Sequence, residues 1–349
     1  MPLLIRDKGG IMQHINIYFA PLEGITTYPY RNLHHKYFGG VKKYYTPFLP
    51  PGPEQGMSVK EMRDVLPENN KELPIVPQIL TNRAGDFLMA SKKLAELGYG
   101  EINLNLGCPS GTVTAKKKGS GFLLYPDELD RFFDEVFSDA AVRNREFFVS
   151  VKTRVGKNSV EEWPELMAVY NRYPIHELTV HPRIQKDFYK NTPYLELFRE
   201  ILKESRNPVV YNGDLFTQEQ VRTFRDNFPE VETVMIGRGL IRNPALAELV
   251  LKSEGKNPEA VDNSRSDIIS RIRAFHDELF EYYRETMSGD RNLLFRMKDL
   301  WSYMLAEVPE SEKLAKKIRK SQHIPEYLAA VDEAFAAWGQ LSEPGKAEI

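Results

Sequence analysis

From residue 15 to residue 236, short runs rich in β-branched and aromatic residues alternate with longer stretches of helical period. The strand-type runs are 15–20, 43–48, 75–80, 101–105, 147–153, 177–180, 209–212 and 233–236. Between them, apolar residues recur on one helical face, as at Phe87, Ala90, Leu94 and Leu97. Leu129, Phe132, Phe133, Val136 and Phe137 make a second such stripe. Helix-start signals stand at Pro126-Asp127, Ser159 and Thr217. Eight strands alternating with helices predict a parallel sheet, because parallel neighbours need a crossover. Closure into a (β/α)8 TIM barrel is the economical arrangement for eight. An open doubly wound sheet is the alternative, and the absence of GxGxxG after the first strand counts against it.

The pattern changes after about Ala245. Residues 253–263 are polar with Gly and Pro and read as a linker. Beyond them strand signals stop. Ile268, Ile269, Ile272, Phe275, Leu279 and Tyr283 form an amphipathic stripe, and further helices are expected at about 293–306, 311–320 and 325–338. The reading is a barrel over 15–252 and a small all-α helical bundle over 264–340. A short extension (1–14) precedes them and a tail (341–349) follows. A chain of 349 residues suits one barrel of about 250 residues plus such an appendage.

Composition narrows the function classes. Hydrophobic residues are 42% and charged residues 28%, so a packed fold is expected. The formal net charge of −2 announces no bulk affinity for nucleic acid, though a local basic face remains compatible with it. The single cysteine, Cys108, allows no internal disulfide and no cysteine cluster for zinc, and points to a reducing, intracellular setting. Residues 1–13 lack the apolar run of a signal peptide. No stretch approaches the roughly 20 apolar residues needed to span a bilayer. A cytoplasmic protein is the expectation.

In (β/α)8 enzymes the active site is built at the C-terminal ends of the strands. Here those ends carry Pro21-Leu22-Glu23, Gln78, Asn105-Leu106-Gly107-Cys108-Pro109, Lys152 with Arg154, His181-Pro182-Arg183, Asn212-Gly213-Asp214 and Gly237-Arg238-Gly239. Glycines after the seventh and eighth strands, with Arg238 among them, suit a phosphate group. An inward Lys152 is costly unless it meets an anion, which is either a barrel carboxylate or an electron-rich ligand. His181 is either a satisfied core histidine or a ligand contact. Cys108 stands between Gly and Pro at a strand end, a poor place for a core residue. A flexible segment, Lys116-Lys117-Lys118-Gly119-Ser120-Gly121, follows it. An ordinary thiol keeps its proton at neutral pH and suits a general acid; a nucleophilic role is the rival.

The blocks "APLEGIT" (20–26), "VPQIL" (76–80), "EINLNLGCPSGTVTAKKKGSGFLL" (101–124), "VSVKTRVG" (149–156), "ELTVHPR" (177–183), "PVVYNGDL" (208–215) and "VMIGRGLIRNP" (234–244) resemble the dihydrouridine synthase family, in the family's order. The resemblance implies reduction of selected uridines in tRNA by FMN, with NADPH or NADH as reductant. It makes Pro21, Leu22, Gln78, Lys152, His181, Asn212, Gly213, Asp214, Gly237 and Arg238 FMN contacts. Asn105, Arg154 and Arg183 become contacts to the substrate, with Lys116 and Lys117 on the RNA side. Cys108 becomes the acid that protonates C5 of uracil while hydride reaches C6. Neither a metal nor a protein partner is implied. The basic "AKKKGSG" stretch and the His-Pro-Arg triplet depart from the family's usual residues.

A base in folded RNA reaches such a site only by flipping out, and the rest of the RNA needs basic surface. Lys116, Lys117 and Lys118 offer it, as do Lys313, Lys316, Lys317, Arg319 and Lys320, although the latter run equally suits a solvated helix face. Three rivals stay open: the same chemistry on ribosomal RNA, an FMN dihydropyrimidine or dihydroorotate oxidoreductase, and an RNA-binding protein without catalysis.

Overall fold

The computed structural model describes residues 14–52, 56–255, 264–308 and 311–339. The expected extension (except His14), most of the linker and the tail lie outside the described residues. Nine parallel strands follow the order β3-β2-β1-β9-β8-β7-β6-β5-β4. They are β1 (Asn16–Phe19), β2 (Val41–Tyr45), β3 (Ile75–Val76), β4 (Gln78–Ile79), β5 (Glu101–Leu106), β6 (Phe148–Gly156), β7 (Leu178–Ile184), β8 (Val209–Asn212) and β9 (Thr233–Ile236).

The third expected strand is thus two. Only Pro77 separates β3 from β4, and these two are the ends of the sheet. Proline has no N–H to give a ladder, so the stave breaks there. The Pro77 carbonyl still accepts from Asn103 N–H at 2.9 Å, and the nine segments form a nearly closed barrel of eight staves. Two strands run further than expected. β6 reaches Gly156 and β7 reaches Ile184, so Arg154, His181 and Arg183 stand within strands.

Alternation decides what the barrel encloses. In β5, Ile102, Leu104 and Leu106 belong to the large apolar core shared with the helices, while Asn103 and Asn105 bond to residues of neighbouring staves. A small apolar cluster of Tyr18, Ala20, Tyr45, Val76, Val210 and Met235 fills part of the interior. Toward the N-terminal ends of the strands, Lys43 Nζ bridges Glu101 (2.7 Å) and Glu177 (2.8 Å). Tyr18 and Tyr45 donate their hydroxyls to those same carboxylates. The floor is therefore closed by a paired polar plug.

Four helices follow the barrel: Arg265–Thr286, Asp290–Met304, Ser311–Lys320 and Ile324–Gly339. Ser264 caps the first through Asp267 N–H. That helix lies on Tyr28–Tyr37, where Phe275 meets the ring edges of Tyr30 (5.2 Å) and Phe38 (6.0 Å). Arg271 adds an ion pair to Glu248 at 2.9 Å. These contacts set the helices against the barrel's outer helices Tyr28–Tyr37 and Leu246–Ser253. No helix among the described residues is long and apolar enough to cross a membrane.

Candidate active site

A chain of side-chain amides crosses the upper barrel. Asn103 donates to Ser150 Oγ (2.9 Å), Gln78 to Asn103 Oδ1 (2.8 Å), and Asn105 to Gln78 Oε1 (2.7 Å). Asn105 Oδ1 then accepts the backbone N–H groups of Gly107 (3.1 Å) and Cys108 (2.9 Å). The Cys108 carbonyl is held in turn by Ser120, through its N–H (3.1 Å) and hydroxyl (2.8 Å). The second half of the segment expected to be flexible is a packed turn, with 3-10 helix over Gly119–Leu124 and Gly119 to Leu123 buried, while Lys116 and Lys117 are exposed. Gly119 has φ +55°, and a Cβ there would lie 2.9 Å from the Cys108 carbonyl oxygen. Only glycine brings that turn under the cysteine.

Cys108 is half-buried, and burial is the main cause that raises its thiol pKa above the usual range. It therefore carries its proton at neutral pH. In the ladder, Lys152 stands opposite Asn105. Burial first, and then Arg154, push the Lys152 amine down to about 7. The barrel's floor carboxylates bind Lys43, and among the described residues Lys152 has neither an ion pair nor a hydrogen bond.

Nine of the ten residues expected to hold a cofactor line one cavity, the exception being Gln78 in the amide chain. Within it Arg183 Nη1 donates to His181 Nε2 at 3.0 Å, which leaves the ring proton on Nδ1. Desolvation and four surrounding cations hold His181 well below its ordinary pKa, so it is neutral. Asp214 accepts from Arg183 (2.8 Å) and from Arg238 (2.6 Å), and so fixes both guanidinium groups. Asn212 donates to the Met235 carbonyl at 2.7 Å. A Cβ on Gly237 would stand 3.2 Å from Ala20 and from Leu22, so the bare backbone keeps this wall open.

The residues expected to touch substrate divide. Asn105 lies beside Cys108. Arg154 does too, but its guanidinium is buried and donates to the carbonyls of Gly107 (3.0 Å), Ile184 (2.9 Å) and Phe188 (2.9 Å). It ties the cysteine loop to the loop after β7. Arg183 belongs to the Asp214 cluster, and it also donates to the Asn191 carbonyl. Lys116 is exposed; Lys117 pairs with Glu128 at 3.4 Å and lies 4.0 Å over the Tyr125 ring.

A family model described as Dihydrouridine synthase (Dus) matches residues 18–337. The chain belongs to the dihydrouridine synthase family. It is accordingly an oxidoreductase acting on a CH–CH group. A Staphylococcus aureus (strain COL) protein named as a probable tRNA-dihydrouridine synthase is 27% identical over 297 residues, 83% of each chain. A Bacillus subtilis (strain 168) protein named as a probable tRNA-dihydrouridine synthase 2 is 28% identical over 279 residues, 76% of this chain and 78% of its own. Among solved structures, 2-naphthoyl-CoA reductase has a TM-score of 0.51 at 8% identity, over 69% of this chain and 50% of that one, a likeness of fold alone.

Dihydrouridine synthases are flavin-dependent, and this cavity fits such a group on its own chemistry. Lys152 is a buried amine without an anion, which a bound anionic group would hold in its charged form, His181 is neutral, and Arg238 is held by Asp214 beside two glycine-lined strand ends. The cavity encloses about 60 Å³, and the residues that would hold a flavin nucleotide there are Lys152, His181, Asn212 and Arg238 with the backbone of Gly213 and Gly237.

Two aromatic lining residues, Tyr189 and Phe216, are not among those the sequence singles out, and Phe216 lies under Arg238 at 5.2 Å. Tyr189 is half-exposed, stacks on His181 (6.1 Å) and lies between Arg238 (4.5 Å) and Arg154 (5.4 Å). It follows Phe188, whose φ of +50° is held by the bond from Arg154. An aromatic pair inside the polar loop 185–191 was the available signal.

Proposed function

We propose that this protein reduces the C5–C6 bond of selected uridines in tRNA to 5,6-dihydrouridine, using FMN and taking electrons from NADPH or NADH. The observation that carries the reading is the protonated Cys108 thiol, fixed by the amide chain within one barrel mouth with an unpaired Lys152. When bound, the reduced flavin supplies hydride to C6 of uracil. Cys108 gives its Sγ proton to C5, so the pyrimidine gains one hydride and one proton and the thiolate regains its proton from solvent. Asn105 keeps the thiol aimed through the Cys108 N–H. Lys152 supplies positive charge beside the flavin ring and the uracil carbonyls, where negative charge accumulates. Arg238, Gly213 and Gly237 receive the phosphate. Tyr189, with its ring over the mouth, covers the inserted base and excludes water.

The uridine must leave its stack to reach this depth. Lys116 and the exposed cations of Ser311–Lys320 take RNA phosphates in this reading, which makes binding strongly salt-dependent. In this reading the protein acts without a protein partner, in the cytoplasm with its RNA.

The test is an assay of the purified yellow protein with NADPH and unmodified tRNA, free uracil and orotate in parallel. Dihydrouridine formed only in the tRNA is the expected result. Turnover of free pyrimidine without RNA would replace this reading with a small-molecule reductase.

A further inference from the structure

A second cavity, of about 300 Å³, lies where the barrel meets the helices. That is the lower end of the range for ligand pockets. Glu23 and Gly24 line it and directly follow Pro21 and Leu22 of the cofactor cavity, so one turn separates the two. The same Glu23 carboxylate acts electrostatically on Cys108. The far wall comes from Tyr282 and Tyr283 of the helix Arg265–Thr286 and from Arg296 of the next helix.

Its chemistry is aromatic and charged, with Lys60, Arg63 and Arg296 beside Glu23, Glu61 and Asp64. Tyr28 and Tyr282 meet edge to face, with centroids 6.0 Å apart. Two of its acids are already engaged: Asp64 pairs with Arg31 at 3.0 Å, and Glu61 closes a capping box with Ser58. Among the described residues Lys60, Arg63 and Arg296 have no ion pair, and Arg63 lies 5.9 Å over the Tyr28 ring. Glu23, likewise without an ion pair, is an acceptor for the N–H edge of a base. Aromatic faces beside cations that form no ion pair suit a planar group carrying a phosphate.

We propose that this cavity captures the base of the nucleotide next to the reduced uridine, so that the enzyme reads RNA at a second position. The inference rests on the proposed uridine reduction. Inserting one base beside Cys108 brings the adjoining nucleotides of the same strand to the turn between the two cavities. Flipping also strips those neighbours of a stacking partner, which the tyrosines replace.

The holoenzyme and its Tyr282→Ala, Tyr282→Phe and Arg296→Ala variants are titrated with an unmodified tRNA substrate, following single-turnover flavin re-oxidation. Flavin content and melting temperature serve as folding controls. The RNA concentration for half-maximal rate rises about tenfold in Tyr282→Ala and Arg296→Ala, in keeping with the loss of one stacked base or one phosphate contact, and much less in Tyr282→Phe. A tRNA made abasic at one flanking position shows the same loss with wild type and no further loss with Tyr282→Ala. Unchanged RNA dependence in both alanine variants, with wild type active, overturns this proposal alone. Slowed flavin reduction by NADPH, with RNA dependence intact, overturns it in favour of the reductant's adenosine. Absence of dihydrouridine with wild type removes it together with the proposed function.

Discussion

Asn105 reaches Gln78 on the neighbouring stave through a 2.7 Å hydrogen bond from its Nδ2 to Gln78 Oε1, while its own Oδ1 holds the Cys108 N–H at 2.9 Å. One amide thereby couples the barrel's interior network to the placement of the thiol. Replacing Asn105 by Ala leaves Gln78 Oε1 and two backbone N–H groups without these partners, at a cost of about 1–3 kcal/mol in stability. Freed from its anchor, the cysteine loop loses its aim, and single-turnover uridine reduction falls by up to roughly a hundredfold. Flavin content, measured by absorbance, stays near wild type.

Cys108→Ala removes the acid and leaves the cavity walls in place. The uridine-reducing step slows by about 10²–10⁴-fold, while bound flavin and its reduction by NADPH persist. The pH profile of the wild-type step gives a second reading. Burial raises the thiol pKa, so the acid stays protonated through neutrality and activity declines only on the alkaline side. A decline on going below pH 7 would remove Cys108 from this role.

Lys152 carries the opposite shift, from the ordinary amine value to about 7. Between pH 7 and roughly 10.5 the unfolded chain binds the proton that the folded, cofactor-free protein does not, so stability rises with pH over that window. Below about 7 both states are protonated and the burial penalty is fully present. Lys152→Met therefore flattens this rise and stabilises the cofactor-free protein at pH 6, as read by urea denaturation. The same variant retains less flavin on dialysis, because the cation that meets the cofactor is gone.

The floor of the barrel gives a prediction separate from catalysis. Lys43→Met leaves Glu101 and Glu177 facing each other without their shared cation. Breaking such a largely buried pair costs about 3 kcal/mol, measured as a lowered urea midpoint. At permissive temperature the variant still binds flavin, since the plug lies at the other end of the strands.

Most of the barrel was legible because period-two and period-3.6 patterns alternate along the chain. The N-L-N-L sequence of β5 is the plainest case, with leucines to the helices and amides to the interior. Pro77 was visible too, but the β-branched and apolar residues on either side of it outweigh one proline in a pattern, and the broken stave emerged only from the hydrogen bonding. The strand ends supply ten of the fourteen residues that line the mouth cavity, because barrel topology alone brings them together. What sequence could not assign was the use of each guanidinium. Arg154 and Arg183 look alike as strand-end cations, yet the first is spent on three carbonyls and the second on Asp214, His181 and Asn191. Those partners lie as many as 47 residues away along the chain. Lys116 to Gly121 misled for a related reason. Glycines there read as flexibility, whereas they permit close packing under Cys108.

The most direct test of the central claim is dihydrouridine content, mapped position by position in total RNA from cells with and without this gene, and with the gene restored as wild type or Cys108→Ala. Loss at a defined tRNA position, recovered by wild type and not by the variant, is the predicted result. Unchanged dihydrouridine at every tRNA position, or full recovery with Cys108→Ala, would contradict the account.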